Sequence, residues 1–201
     1  MRITGGLWKG RTINPPAGYQ ARPTTDFAKE GLFNILSNQY DFDEVSLLDL
    51  FAGTGSISLE FASRGCRDIV AVDMNPAHIN FIRRTAASFG VLSAGRNAVH
   101  GAAGGIQPVH SNAFDFLKVC TKRFDIVFAD PPYDMDGFGG IPDKLLASPI
   151  FAPDGILIFE HPAPHDFSAH PAFFKERKYG NVHFSFFHAP SDEAQRPEEE
   201  V

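Results

Sequence analysis

Residues 124–133 read Phe-Asp-Ile-Val-Phe-Ala-Asp-Pro-Pro-Tyr, an apolar run that stops at Asp130-Pro131-Pro132-Tyr133. Such a run predicts a strand buried in a parallel sheet, and the C-terminal tip of that strand is where open α/β sheets carry their chemistry. Pro131 and Pro132 contribute carbonyl acceptors and no backbone N–H donors. Beside the Asp130 carboxylate they make a rigid corner that only accepts hydrogen bonds, followed at once by the ring of Tyr133. The corner suits a flat substrate carrying an exocyclic amine.

A second constellation lies at Asp49-Leu-Phe-Ala-Gly-Thr-Gly55, where a strand turns into a helix. Gly53 and Gly55 let the backbone approach a ligand closely. Ser58 stands where the third glycine of G-x-G-x-x-G would be, so the dinucleotide pattern is incomplete. Asp73 follows Gly53 by twenty positions, at the tip of the next strand. A carboxylate there can accept both hydroxyl hydrogens of a ribose. Gly53-Thr54-Gly55 alone would equally fit a sheet that binds NAD or no nucleotide. With Asp49, Asp73 and Asp130–Tyr133 in order, the pattern favours methyl transfer from S-adenosylmethionine to an amine. The expected cofactor residues are Asp49, Phe51, Ala52, Gly53, Thr54, Gly55, Asp73, Met74, Asn112 and Ala113, and the expected catalytic residues are Asp130, Pro131, Pro132 and Tyr133.

These tips require a sheet to carry them. Strand signals run over 46–51, 68–73, 109–110, 124–129 and 155–160, separated by helix signals at 56–63, 76–89, 113–121 and 143–148. The alternation implies a Rossmann-like, doubly wound α/β fold with a mostly parallel sheet, closed by an antiparallel strand at 182–187. Ahead of it, pieces at 2–4 and 11–14 predict a small β-hairpin, and the pattern after Thr25 predicts a helix over 26–37. The expected organisation is an N-terminal extension (1–25), a Rossmann-like domain (26–188) and a disordered acidic tail (189–201). Residues 93–106, rich in Gly and Ala, read as a surface insertion.

The chain has 201 residues, 43% of them hydrophobic, with 20 Phe, enough for one well-buried domain. No stretch has the length of a transmembrane helix and no apolar signal core opens the chain, so a cytoplasmic location with no membrane partner is expected. Cys66 and Cys120 have neither metal-site nor redox-pair spacing and read as packing residues in a reducing compartment. The net charge of −6 is uneven. Five acids and one arginine occupy 190–201, whereas the first thirty residues hold Arg2, Lys9, Arg11, Arg22 and Lys29 against Asp26 and Glu30. The N-terminus is therefore the anion-facing candidate.

With these residues in hand, the chain resembles the RsmD-type family, bacterial methyltransferases acting on guanine N2 of 16S ribosomal RNA. The resemblance runs from Arg2 to about Phe187. It rests on Arg2-Ile-Thr-Gly-Gly, Lys9-Gly-Arg11, Arg22-Pro-Thr24, Glu30 with Leu32-Phe33-Asn34-Ile35-Leu36, Asp49–Gly55, Ser63-Arg-Gly65, Asp130–Tyr133 and Tyr179-Gly180. It implies S-adenosylmethionine as cofactor and 16S rRNA as partner, within the small ribosomal subunit or its assembly intermediate, with no metal. Arg2, Lys9, Arg11, Arg22 and Thr24 become the expected RNA-contacting residues. Two departures stand out: Asp73 where that family often has Glu, and Asn112 where it often has Asp.

In the expected mechanism Asp130 and the Pro131 carbonyl accept the two amine hydrogens, and Tyr133 stacks on the flipped-out base through its ring, not its hydroxyl. Two alternatives stay open: an amino-methyltransferase on DNA adenine N6 or protein glutamine, and a catalytically silent RNA-binding assembly factor. Trp8 reads as hairpin packing or an RNA stack, Glu160-His161 as a structural or rim pair, and Phe184–Phe187 as core.

Overall fold

Each apolar run in the sequence becomes a strand covered on both faces. The computed structural model describes residues 1–15, 24–93 and 104–190. Its elements are α1 (Asp26–Leu36), β1 (Ser46–Leu50), α2 (Ser56–Ser63), β2 (Asp68–Asp73), α3 (Pro76–Ser88), β3 (Gly105–His110), α4 (Ala113–Val119), β4 (Phe124–Ala129), α5 (Ile141–Leu146), β5 (Phe151–Pro162), β6 (Phe173–Tyr179) and β7 (Val182–His188), with short 3₁₀ turns at Gly6–Trp8 and Phe138–Gly140. The seven strands form one sheet in the order β3-β2-β1-β4-β5-β7-β6. β1 to β5 run parallel, while β7 is antiparallel to both β5 and β6. Strand order reverses between β1 and β4, which opens a crevice at their C-terminal ends.

Local chemistry explains the helix starts. The Thr25 hydroxyl accepts the Ala28 N–H at 3.1 Å to open α1. The Asn75 side chain accepts the Ala77 N–H at 2.9 Å, and Pro76 takes the first turn of α3, where a missing N–H costs nothing. The period of two along each strand divides the core. Leu47, Ile69, Ala71, Ile126, Phe128, Ile156 and Ile158 pack with residues of α1, α2 and α3, whereas Leu48, Leu50, Val70, Val72, Val127, Ala129, Leu157 and Phe159 pack with α4 and α5.

Three expectations need correction. β3 begins at Gly105, so the end of the 93–106 segment is strand: Ile106 is fully buried and Asp68–Asp73 pairs with Gly105–His110 residue by residue. This strand takes its structure from β2, since Gly-Ile-Gln-Pro-Val-His has no strand pattern of its own, and an edge position tolerates Pro108. Residues 94–103 lie outside the described residues. β6 is not among the expected strands, because its charged sequence Phe-Phe-Lys-Glu-Arg-Lys-Tyr suits an edge strand that resists edge-to-edge association. The sheet therefore closes with two antiparallel strands. At the N-terminus the two pieces meet antiparallel at a single bridge, Arg2 with Thr12, joined by the 3₁₀ turn. The tail from Ser191 to Val201 also lies outside the described residues.

Candidate active site

Strand parity aims four acids at one place. Asp49, Asp73, Asp130 and Glu160 each follow by two residues a side chain packed on the α2 and α3 side of the sheet: Leu47, Ala71, Phe128 and Ile158. They therefore project from neighbouring strand ends on one face. All four line a cavity of about 590 Å³ at the C-terminal edge of β1, β2, β4 and β5. Sheet order sorts the cavity into two halves. Phe51, Gly53, Asp73, Met74 and Asn112 line the β1–β2 side, while Thr24, Tyr133, Glu160 and Val182 line the β5–β7 side, with Asp130 between them.

On the β1–β2 side the loop after β1 is held tightly. Phe51 has φ +60°, Gly53 +53° and Gly55 +70°. The left-handed backbone is cheap for glycine, but holding Phe51 there costs about 1–3 kcal/mol, a strain typical of ligand-binding turns. The Phe51 ring packs edge-on to Phe114, with centroids 6.2 Å apart. Asp73 accepts the Gly53 N–H at 2.8 Å through one oxygen and the Asn75 N–H at 2.7 Å through the other, with His78 Nδ1 3.1 Å away. It thus braces the glycine loop against α3 while lining the cavity. Asn112 caps α4 by accepting from Phe114 N at 2.9 Å, which leaves its NH₂ group as the end able to meet a ligand. Ser58 holds Asp49 through its hydroxyl at 2.5 Å and its N–H at 3.1 Å. Burial nonetheless pushes the Asp49 carboxyl up to about 7, the Ser58 bonds opposing and the Asp73 charge adding to the rise.

Asp130 stands between the halves, its carboxyl raised well above the usual range by burial, then by the Glu160 and Asp49 charges. Pro131 and Pro132 follow it in the cavity wall, and the Pro132 carbonyl closes a turn by accepting the Met135 N–H at 3.0 Å. Tyr133 packs edge-on to Phe138 with centroids 6.0 Å apart, and its hydroxyl donates to Glu160 Oε1 at 3.3 Å. The hydroxyl therefore has a partner that the emphasis on the ring did not foresee. Glu160 is buried and its Oε2 accepts the Thr24 hydroxyl at 2.7 Å. It is a cavity residue, not a rim residue. Its signal in the sequence was the same as that of Asp130, an acid ending a buried strand.

All the expected catalytic residues line this cavity, as do all the expected cofactor residues except Gly55, the N-cap of α2. The expected RNA residues are dispersed. Thr24 joins the cavity, and Arg22 lies outside the described residues. Arg2 pairs with Asp26 at 3.6 Å, whereas Lys9 is exposed and Arg11 lies over the Phe89 ring at 4.7 Å. Trp8 stacks on the same Phe89 with centroids 4.8 Å apart. Lys29 is fully buried and donates to the Arg2 carbonyl at 2.6 Å and to Ser56 at 3.1 Å. It faces Glu60 at 3.5 Å, so it adds nothing to a surface field. Burial lowers the Lys29 pKa, with Glu60 opposing.

Glu60 in turn accepts the Thr4 N–H at 2.9 Å, the Thr4 hydroxyl at 2.8 Å, the Gly5 N–H at 2.8 Å and Arg64 Nη2 at 3.0 Å. A Cβ on Gly6, where φ is +71°, would lie 1.9 Å from the Ser63 carbonyl oxygen. Arg2–Gly6, Lys29 and Ser63-Arg64 thus form one anchor for the N-terminal segment.

On the other face, His161, Glu176 and His183 bring one ligand atom each within 4.8 Å of one another, a spacing that a transition-metal ion could bridge. Their hydrogen bonds already join three strands: His183 to Glu176 at 3.0 Å and His161 to Ser185 at 2.8 Å. Sequence reading found no second ligand group beside His161 because these residues meet only across β5, β6 and β7. Cys66 and Cys120 are buried and free, as expected.

A family model described as "Conserved hypothetical protein 95" matches residues 1–188. "Putative rRNA methyltransferase YlbH" of Bacillus subtilis (strain 168) is 30% identical over 164 residues, 80% of this chain and 82% of that protein. "Ribosomal RNA small subunit methyltransferase D" of Escherichia coli (strain K12) is 35% identical over 133 residues, 66% of this chain and 60% of that protein. Among solved structures, a hypothetical protein of Thermus thermophilus, TTHA0928, superposes with a TM-score of 0.76 at 28% identity, covering 93% of this chain and 98% of that one.

Proposed function

The chain belongs to the Conserved hypothetical protein 95 family, with relatives named ribosomal RNA small subunit methyltransferase D, and from that premise we propose that it methylates the exocyclic N2 amine of a guanine in 16S rRNA, with S-adenosylmethionine as donor. The observation that carries this reading is Asp130, set at the switch point between the two halves of one cavity. The β1–β2 half fits the cofactor: positive-φ glycines let the chain approach, apolar Phe51 and Met74 suit a base, and the Asp49 and Asp73 carboxylates suit ribose hydroxyls and positive charge. When bound, S-adenosylmethionine supplies an electrophilic methyl group on a cationic sulfonium.

The chain's own residues do the rest by positioning. The amine of guanine is a poor nucleophile because its lone pair is delocalised into the ring. Asp130 and the Pro131 carbonyl accept its two N–H bonds, which favours a pyramidal nitrogen and aims its lone pair at the β1–β2 half. Burial and the Glu160 charge make Asp130 a stronger acceptor than a solvated carboxylate. The methylated amine is acidic after transfer, so its proton can leave to Asp130 or to water. Tyr133 supplies an aromatic face for the base, worth about 1–3 kcal/mol in stacking sites.

The test is direct. Small subunits from cells lacking the protein are incubated with labelled cofactor and the modified base is mapped. Label on guanine N2 is expected from the wild type. Asp130→Ala should lose transfer, by about 10²-fold or more, while its cofactor dissociation constant stays within a few-fold. Label elsewhere, or near-normal turnover by the variant, would overturn the reading.

A further inference from the structure

The transfer step leaves Glu160 without a task, yet its position is demanding. It lies near the C-terminal end of β5, one strand beyond Asp130 and on the side away from the cofactor half. β4 and β5 are in register with Ala129 opposite Phe159, so Asp130 and Glu160 are the next residues of adjacent strands and share one face of the sheet. Glu160 is only 3% exposed. Thr24, from the segment before α1, and Tyr133, from the catalytic corner, each direct a hydroxyl at one of its oxygens, at 2.7 and 3.3 Å.

Burial raises Asp130 well above the usual carboxylate range, and repulsion from the neighbouring Glu160 adds to the rise. A ligand that brings donors to this pair offsets part of the cost of burying it. The Watson–Crick edge of guanine presents N1–H and the N2 amine next to each other, all donors. Adenine presents an acceptor, its own N1, beside its amine.

We propose that Glu160 accepts the N1–H of the acceptor base while Asp130 takes an N2–H, so that the pair selects guanine over bases whose N1 is an acceptor. This rests on the guanine-N2 reading above. Thr24 and Tyr133 are then positioning residues: they fix the Glu160 carboxylate and tie the base-reading group to the N-terminal segment and to the Asp130–Tyr133 corner. An acceptor site that meets an unprotonated ring nitrogen leaves a buried charge facing a lone pair. Mismatches of this kind discriminate far more strongly than shape does.

The experiment places guanine or 2-aminopurine at the mapped target nucleotide of reconstituted small subunits. Both carry the 2-amine, but only guanine has N1–H. The wild type should favour guanine by about 10²-fold or more in kcat/KM. Glu160→Gln, whose amide can donate to the bare N1, should reduce that preference at least tenfold, with the cofactor dissociation constant unchanged. The intrinsic reactivity of the two bases cancels when the ratios are compared. Thr24→Val, which removes the hydroxyl that positions Glu160, should lower the preference in the same direction and serves if Glu160→Gln does not fold. Equal losses on both substrates, with the preference intact, would mean a merely structural Glu160 and overturn the proposal. A wild type that does not distinguish the two bases would overturn it as well. A wild type that methylates neither base overturns the guanine-N2 reading itself, and this inference with it.

Discussion

Asp49 shows how a single residue can tie the site to solution conditions. Its carboxyl is pushed up to about 7 in the folded protein, against 3.8 for an exposed aspartate. Between those values the folded state holds a proton that the unfolded chain has released. The ligand-free protein should therefore lose stability as pH rises from about 4 to about 7, by as much as ~4 kcal/mol from this group. Asp49→Asn removes the dependence, so its stability relative to the wild type should be several kcal/mol more favourable at pH 8 than at pH 4 in urea titrations. Identical pH trends for the two proteins would exclude the effect. Asp73 makes a different prediction. Because it braces Gly53 as well as facing the cavity, Asp73→Ala should weaken cofactor binding by at least tenfold in calorimetry. Asp73 and Asp130 were legible because each ends a buried run with an acid. Ser58 was not, since its clamp on Asp49 depends on how α2 lies over β1.

At the scale of elements, the N-terminal segment is attached by a buried polar network instead of a regular hairpin. Glu60 joins α2 to Thr4, Gly5, Lys29 and Arg64. Glu60→Ala would strand Lys29 inside the protein, and removing one partner of a buried pair costs about 3–5 kcal/mol. The only tryptophan, Trp8, stacks on Phe89 and reports this docking. Its fluorescence should change in the variant at urea concentrations below those that melt far-ultraviolet helicity. Coincident transitions at the wild-type midpoint would show that the network contributes little. Helices with a cap and an apolar stripe, and strands with apolar runs, were readable from sequence. β3 and β6 were not, because an edge strand is formed by its neighbour's unpaired backbone and needs no strong pattern of its own.

For the whole molecule, the basic N-terminus contracts once paired charges are removed from it. Lys29 is buried against Glu60 and Arg2 lies beside Asp26, which leaves Lys9 and Arg11 as the described members free to face a polyanion. Reversing both, Lys9→Glu with Arg11→Glu, should weaken RNA binding and flatten its log–log salt dependence by about two, roughly one per phosphate contact. Cofactor affinity should be unchanged. An unaltered salt slope would remove this surface from the RNA interface. By itself the sequence determined the alternation of the central strands and helices, the acids at the strand tips and the acceptor-only corner. Those depend on local periodicity, on caps and on proline's missing N–H. The tertiary structure alone decided that Thr24, Tyr133 and Glu160 converge beside Asp130, and that a lysine counted as surface charge is an internal anchor. Strand order and register bring together residues as much as 136 positions apart, and no local pattern encodes that distance.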